Sequence, residues 1–492
     1  MTEIVTPPSK TIKSNSGALA TLVIVFFFWG FVAASNDILI PVFKEALGLK
    51  PWQSQLISVA FYVAYTVGSI IYFLISKATG GDILNRIGYK NGISLGLIIS
   101  AIGTLLFYPA AQTASYGLLL GGLFIVGLGF SLQQTAANPL TVVLGDPKKG
   151  AQRLSMTGGI NNFGTTIGPL LVSLAIFGSV TGEHAKASIE SVKTPYLILG
   201  AAFVVAALVF RFSSVPNKIH SVTDDIPDDV THKLAQERGS VFKYPQLILG
   251  MLAIFIYVGV EVSTASNLPL FIEKHLGVST SEVAPYVSLY WASLMIGRWT
   301  ASVGAFNFNK GLTKVMGFIM PYLAFAVFLI ANKLAGHDVV PFYVYAFVIL
   351  AMVIGDVLSK GNPARQLLIF SLLAITALLI GMFTDGKIAT FAFISVGLFC
   401  STLWPCIFTL AIAGLGKHTN EGSSFLIMMI MGGGIISLLQ GVLASENVLG
   451  IQHSYIIGVL CFCYLAFYAI RAKAILKSQG IDYDKLESAG GH

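Results

Sequence analysis

Fourteen long apolar runs leave this chain few folds to choose from. They lie near residues 18–43, 55–79, 91–111, 116–145, 154–179, 194–213, 244–272, 282–305, 313–332, 340–357, 366–384, 388–415, 422–444 and 452–474. A helix crosses the bilayer core with about 20 apolar residues. In that core every backbone N–H and C=O needs an internal partner, which leaves helices or closed barrels. Unbroken runs of this length select helices, so the expected class is an all-α, multi-pass membrane protein. Composition agrees. Only 11% of the residues are charged and 55% are hydrophobic, whereas a soluble domain carries about 25% charged residues. Residues 1–17 are short and polar, with no cleavage-site pattern, so the first run is expected to remain as a membrane helix.

The net charge of +7 does not point to nucleic acid, because the basic residues are spread among the loops. With the N-terminus inside, 23 of the 30 Lys and Arg residues fall on the cytoplasmic side, as the positive-inside rule requires. Both termini are then expected in the cytoplasm. The run near 340–357 is short and ends at Asp356, and losing it alone would break this agreement. The four cysteines, Cys400, Cys406, Cys461 and Cys463, lie in apolar segments with neither disulfide nor zinc spacing. They read as inert thiols, and no metal or cofactor is expected.

A polar stretch at about 214–243, containing "TDDIPDDVTHKLAQER", divides the chain. Its position between two helical halves suggests a two-bundle transporter. Residues 1–213 would form a six-helix bundle, 214–243 a cytoplasmic linker, and 244–492 a second six-helix bundle with a helical hairpin inserted at about 311–360. A weak repeat supports this division. "GLGFSLQQTAANPLTVVLGDPKKG" from Gly127 and "GLFCSTLWPCIFTLAIAGLGKHTNEG" from Gly397 share an opening Gly-Leu-x-x-Ser, an internal proline and a polar closing turn.

Polar residues inside the apolar runs are the candidates for chemistry. Asp37 is foremost, since an acid at the bilayer centre costs about 2.5–3.5 kcal/mol on insertion scales. On a helix it shares a face with Phe26, Gly30, Ala33, Ala34 and Pro41, and Trp29 and Asn36 flank it. Small residues on that face allow close helix packing, and Pro41 leaves the Asp37 carbonyl without its helical donor. A carboxylate and a free carbonyl then suit a proton or cation site; the plain alternative is a solvated acid near a helix end. Gln133, Gln134 and Asn138 crowd the fourth run, where Pro139 frees the Thr135 carbonyl. Gln134 and Asn138 share a face, and their amides can both donate to and accept from hydroxyl-rich ligands. Interhelical hydrogen bonding is their alternative role. Asn161 and Asn162 are adjacent and so point apart, which leaves one of them to face a cavity. Glu261 is the second deep acid, with Tyr257 one turn before it. Trp404 could lie against a sugar ring, and Pro405 frees the Ser401 carbonyl. There is no G-x-x-x-x-G-K-[ST] loop to bind ATP, and no H-E-x-x-H or G-x-S-x-G motif, so no enzyme is expected.

At these residues the sequence resembles the major facilitator superfamily, and specifically its fucose permease branch. The matching features are "F-F-x-W-G…N-D-I-L" in the first helix, "T-A-A-N-P" in the fourth, "Y-V-G" in the seventh and "GSSFLIMMIMGGGI" in the eleventh region. "GGDILNRIGYK" is similar to the superfamily's cytoplasmic G-x-x-x-D-R-x-G-R-K turn, with Gly81, Asn85, Arg86 and Gly88 in register and Asn85 where Asp is usual. The resemblance implies a major facilitator fold and sugar uptake coupled to a cation, mostly the proton, by alternating access. It implies Asp37 as the coupling residue, and Trp29, Asn36, Gln133, Gln134, Asn138, Asn161, Asn162, Tyr257, Glu261 and Trp404 as substrate-site residues. Gln134 replaces the Glu of fucose permeases, and "YVGVEVS" matches the branch's glucose/galactose transporters. The expected function is therefore hexose:proton symport, with sodium coupling, fucose or deoxyhexose uptake, or a non-transporting sensor as alternatives. Gly158, where the family has a polar Gln, and the inserted hairpin are departures. The expected setting is a monomer in a bacterial inner membrane.

Overall fold

The computed structural model describes residues 16–48, 51–146, 149–177, 193–213, 215–217, 239–277, 280–306 and 308–484. The described side chains exclude 33–46, which takes in Asn36 and Asp37. Long helices follow the apolar runs in order: α1 Ser16–Leu47, α2 Pro51–Ala78, α3 Tyr89–Gln112, α4 Tyr116–Val143, α5 Gly150–Phe177, α6 Lys193–Phe212 and α7 Pro245–Leu276. Then come α8 Thr280–Ser302, α9 Lys310–Leu334, α10 Val340–Ser359, α11 Pro363–Phe383, α12 Gly386–Ile412, α13 Gly416–Leu443 and α14 Gly450–Ser478. Among the described residues 11 spans are long and apolar enough to cross a membrane; α1, α5 and α8 complete the set, at 32, 28 and 23 residues.

Local sequence sets the helix ends. Asn309 and Asn362 cap α9 and α11, the latter accepting from both Ala364 N and Arg365 N with Pro363 in the first turn. Gly277, in the left-handed region, ends α7. In the first half α1 packs on α5, α4 packs on α2 and α3, and α6 packs on α3. In the second, α7 packs on α12, α13 and α14, and α11 packs on α12 and α14. The halves meet where α8 lies on α5 and where α13 lies on α2 and α4. The α1–α5 crossing is backbone to backbone, since a Cβ on Gly30 would collide with the Asn161 carbonyl oxygen. This is the close approach that small residues on α1 predict.

The inserted hairpin is α9 and α10, and it belongs to the second half. It packs along α8, where Asn332 Nδ2 donates to Ser288 Oγ at 3.1 Å and the Tyr345 and Ser293 hydroxyls bond at 2.8 Å. The rings of Tyr286 and Phe342 meet edge to face at 4.8 Å. Two serines on α8 thus meet polar partners on the hairpin. The short apolar run at 340–357 lies in a helical segment, Val340–Ser359, that is long and apolar enough to cross, entered through a 3₁₀ turn at Val340–Phe342.

Candidate functional site

Two prolines set up the middle of the molecule. Pro139 in α4 has no N–H to give the Thr135 carbonyl, and that oxygen accepts Ser423 Oγ of α13 at 3.2 Å. Pro405 does the same to Ser401 in α12, and the Ser401 carbonyl accepts Arg298 Nε of α8 at 2.9 Å. Each helix interruption therefore supplies an acceptor to another helix. The third such proline, Pro41, and the freed Asp37 carbonyl fall where side chains lie outside the described residues.

Arg298 is the centre of the site, and the sequence reading passes over it. Its Nη1 donates to Asn162 Oδ1 at 2.5 Å and to the Gly158 carbonyl at 3.4 Å, both on α5. One guanidinium thus ties α12 to α5 across the two halves. Arginine stays charged in any protein setting and offers a fixed fork of donors, so its partners hold that fork in place. Gly158 leaves room for it: a Cβ there would lie 3.2 Å from Nη1. The departure from the family's Gln accordingly sits against the guanidinium. Trp299 beside it donates from Nε1 to the Gly159 carbonyl at 3.1 Å. The signal that could have found Arg298 is the one that found Asp37, a charge inside an apolar run.

Around Arg298 gather several of the expected residues. Glu261 of α7 lies within electrostatic reach of it, as does Tyr257. The Glu261 carbonyl accepts the Tyr290 hydroxyl at 2.8 Å, which fixes that turn of α7. Trp404 faces Tyr257 with ring centroids 6.2 Å apart. Asn162, Tyr257, Glu261, Arg298 and Trp404 therefore form one polar and aromatic cluster between the halves. Gln134 reaches toward α2, donating to the Tyr65 hydroxyl at 3.0 Å, and Asn138 is buried one turn further along α4.

Other expected residues are engaged in helix packing. Trp29 Nε1 donates to Gln133 Oε1 at 2.6 Å, and Gln133 Nε2 donates to Ser100 Oγ at 2.9 Å. Asn161 Nδ2 donates to the Phe26 carbonyl at 3.0 Å. Of the adjacent asparagines, 161 holds α1 while 162 meets the guanidinium, as their opposed directions predict. The side chains of Asn36 and Asp37 lie outside the described residues.

The turn between α2 and α3 meets α13 of the other half on one face of the molecule, here called the gate face. Asp82 caps the one-turn helix Ile83–Ile87, accepting Leu84 N at 2.8 Å and the Tyr72 hydroxyl at 2.6 Å. Asn85, in the place of the usual Asp, accepts Asn420 Nδ2 of α13 at 3.1 Å, and Tyr89 donates to Asn420 Oδ1. Gly88 turns the chain at φ +87°, a value glycine adopts readily. Gly81 lies three residues past the end of α2, and Arg86 lies in the last turn of the short helix. Deeper in, Ser424 Oγ donates to the Ser69 carbonyl at 3.3 Å and Thr66 Oγ1 to the Met428 carbonyl at 3.3 Å. Asp82, Tyr89 and Asn420 join this contact, none of them a site residue expected from the sequence.

Asp82 lies outside the spans, and burial pushes its carboxyl above the ordinary Asp value, outweighing the hydrogen bonds from the Tyr72 hydroxyl and Leu84 N. Its Oδ2 is buried and has no hydrogen-bond partner among the described residues. Opening this contact to water would return the carboxyl toward its ordinary value, so linkage predicts that the contact strengthens as pH at this face falls through the raised value and weakens as pH rises past it. We expect Asp82→Asn to remove that dependence. The measurement is maleimide labelling of a gate-face cysteine across a pH series, and an unchanged slope in the variant would refute the assignment.

Residues 18–355 match the Major Facilitator Superfamily family model. The glucose/galactose transporter of Brucella abortus is 34% identical over 460 residues, covering 93% of this chain and 94% of that protein. The L-fucose-proton symporter of Escherichia coli is 26% identical over 491 residues, covering 95% and 97%. In three dimensions the fold is similar to a crystal structure of the Major Facilitator Superfamily transporter FucP in the outward conformation, 26% identical, with a TM-score of 0.68 over 92% of this chain and 98% of that one. The helical architecture and these similarities agree: the chain belongs to the Major Facilitator Superfamily, in its fucose permease branch.

Proposed function

We propose that this chain is a secondary active transporter, a symporter of a hexose of the glucose/galactose type with a proton, working by alternating access. The observation that carries the reading is the cluster of Arg298, Asn162, Glu261, Tyr257 and Trp404, which joins the two halves through a polar, aromatic-lined contact. Charged and amide groups offer a sugar both donors and acceptors, and an aromatic face suits the apolar side of a pyranose. A sugar entering between the halves would exchange hydrogen bonds with Asn162 and Arg298, and so loosen the tie that holds them together. The relatives' names support a hexose, and Gln134, where fucose permeases carry Glu, supports the glucose/galactose type.

In this reading Asp37 loads the proton, sugar follows, and the halves rock to expose the site on the gate face. The N-terminal bundle is 1–213, the linker 214–243 and the C-terminal bundle 244–492. The gate face is cytoplasmic, as are both termini, and the protein acts as a monomer in a bacterial inner membrane, without catalytic chemistry. The test is uptake of labelled glucose and galactose into proteoliposomes. An imposed inward proton gradient is expected to drive accumulation, and a sodium gradient alone is not. Hexose uptake indifferent to both gradients would remove symport from this account, and sodium-driven uptake would reassign the cation.

A further inference from the structure

The inserted hairpin has two roots on the gate face, the α8–α9 link and the α10–α11 link. A side chain from the other half stands between them. Gln152, in the first turn of α5, donates from Nε2 to the Gly361 carbonyl in the second root at 3.2 Å. Its stem rests on the first root, since a Cβ placed on Gly304 would come 2.8 Å from Gln152 Cγ. Gly361, at φ +72°, would set a Cβ 2.9 Å from Gln152 Nε2. Glycine on both sides is what makes room for the Gln. Lys149, one turn before, donates from Nζ to the Phe306 carbonyl of the first root at 3.1 Å.

We propose that the inserted hairpin is a third element of the gate, its two roots forming a clasp that closes on Gln152. The hairpin is fixed to α8 by Asn332–Ser288 and Tyr345–Ser293, so it moves with the second half, whereas Gln152 moves with α5 in the first. Opening the gate face must draw Gln152 out of the clasp. The clasp is built to release. Gln152 Oε1 is buried with no hydrogen-bond partner among the described residues, and an unsatisfied buried acceptor offsets part of what the donated bond contributes. A chain with α8 joined directly to α11 would have one link here and no cleft. The hairpin thus adds a gate contact lateral to the one made by Asn85, Tyr89 and Asn420. The inference rests on the alternating-access reading.

The geometry supplies its own test. A Cβ on Gly304 would lie 3.6 Å from Gln152 Cβ, inside the separation a disulfide needs, roughly 3.5–4.5 Å. The full chain carrying Gln152→Cys, Gly304→Cys and Thr409→Cys, with the exposed Cys463 changed to Ser, is reconstituted and oxidised. Thr409 is buried on α12 against Gly150 of the other half, so Thr409→Cys reports gate opening by maleimide labelling, whatever the cargo. Oxidation is expected to form the 152–304 disulfide, to cut Thr409→Cys labelling at least tenfold and to cut hexose uptake by a similar factor, with reductant restoring both. Gln152→Ala, with no new crosslink, is expected to speed that labelling severalfold. Failure of the disulfide to form, labelling that persists with the disulfide intact, or unchanged labelling in Gln152→Ala would each overturn the clasp. Loss of hexose uptake in the unmodified protein, with labelling still controlled by the disulfide, would count against the transport reading and leave the clasp standing.

Discussion

Arg298→Ala is expected to lower hexose uptake by about two orders of magnitude or more. The substitution leaves the Ser401 carbonyl, the Gly158 carbonyl and Asn162 Oδ1 without their shared donor. It also leaves Glu261 without the cation beside it. A hydrogen bond to a charged group contributes about 1.5–3 kcal/mol, more than one is lost together here, and every 1.4 kcal/mol is tenfold in an equilibrium. Arg298→Lys keeps the charge but not the planar fork, so it is expected to recover only a minor part of the loss. Uptake and counterflow in proteoliposomes measure both variants, with thermal stability of the purified protein as the control for folding. Uptake near the unmodified level in Arg298→Ala would remove Arg298 from the site.

Asp37→Asn separates coupling from binding. The variant cannot lose or gain a proton at that position, so it is expected to exchange sugar across the membrane yet fail to accumulate it against a gradient. Counterflow should stay within a few-fold of the unmodified protein, and proton-driven accumulation should fall more than tenfold. Accumulation that survives the substitution would move coupling elsewhere, with Glu261 the next residue to test.

Much of the architecture was legible because lipid imposes a simple rule. Each apolar run long enough to cross had to become a helix, so the run at 340–357 could be placed and the hairpin located between the eighth and ninth core helices. Proline chemistry was legible too, since a missing N–H frees a carbonyl regardless of context. Thr135 and Ser401 both present theirs to another helix. What the sequence left open was which partner arrives. Asn162 and Arg298 are 136 residues apart, and no local pattern links them. Gln133 and Gln134 look equivalent in sequence, yet a turn of about 100° between neighbours on a helix sends one to Trp29 and the other to Tyr65. At the gate face, Asn85 stands where Asp is usual. The nearby carboxylate of Asp82 instead takes the helix cap and the tyrosine, while Asn85 serves as the acceptor for Asn420.

Most hydrogen bonds described between the halves run from a side chain on one half to a peptide carbonyl on the other. Thr66, Lys149, Gln152, Arg298, Trp299, Ser423 and Ser424 all donate in this way. A peptide carbonyl is present whatever residue carries it. Such a contact can therefore be lost by substitution at the donor but not by exchanging the acceptor's side chain, so long as the acceptor's backbone holds its place. One consequence is evolutionary. The acceptors Ser69, Thr135, Phe306 and Met428 are freer to vary their side chains, and with them the lining between the halves, while the machinery of opening and closing stays intact; Gly158, Gly159 and Gly361 leave no room for a side chain. Diversification of cargo and preservation of mechanism can then proceed on the same helices.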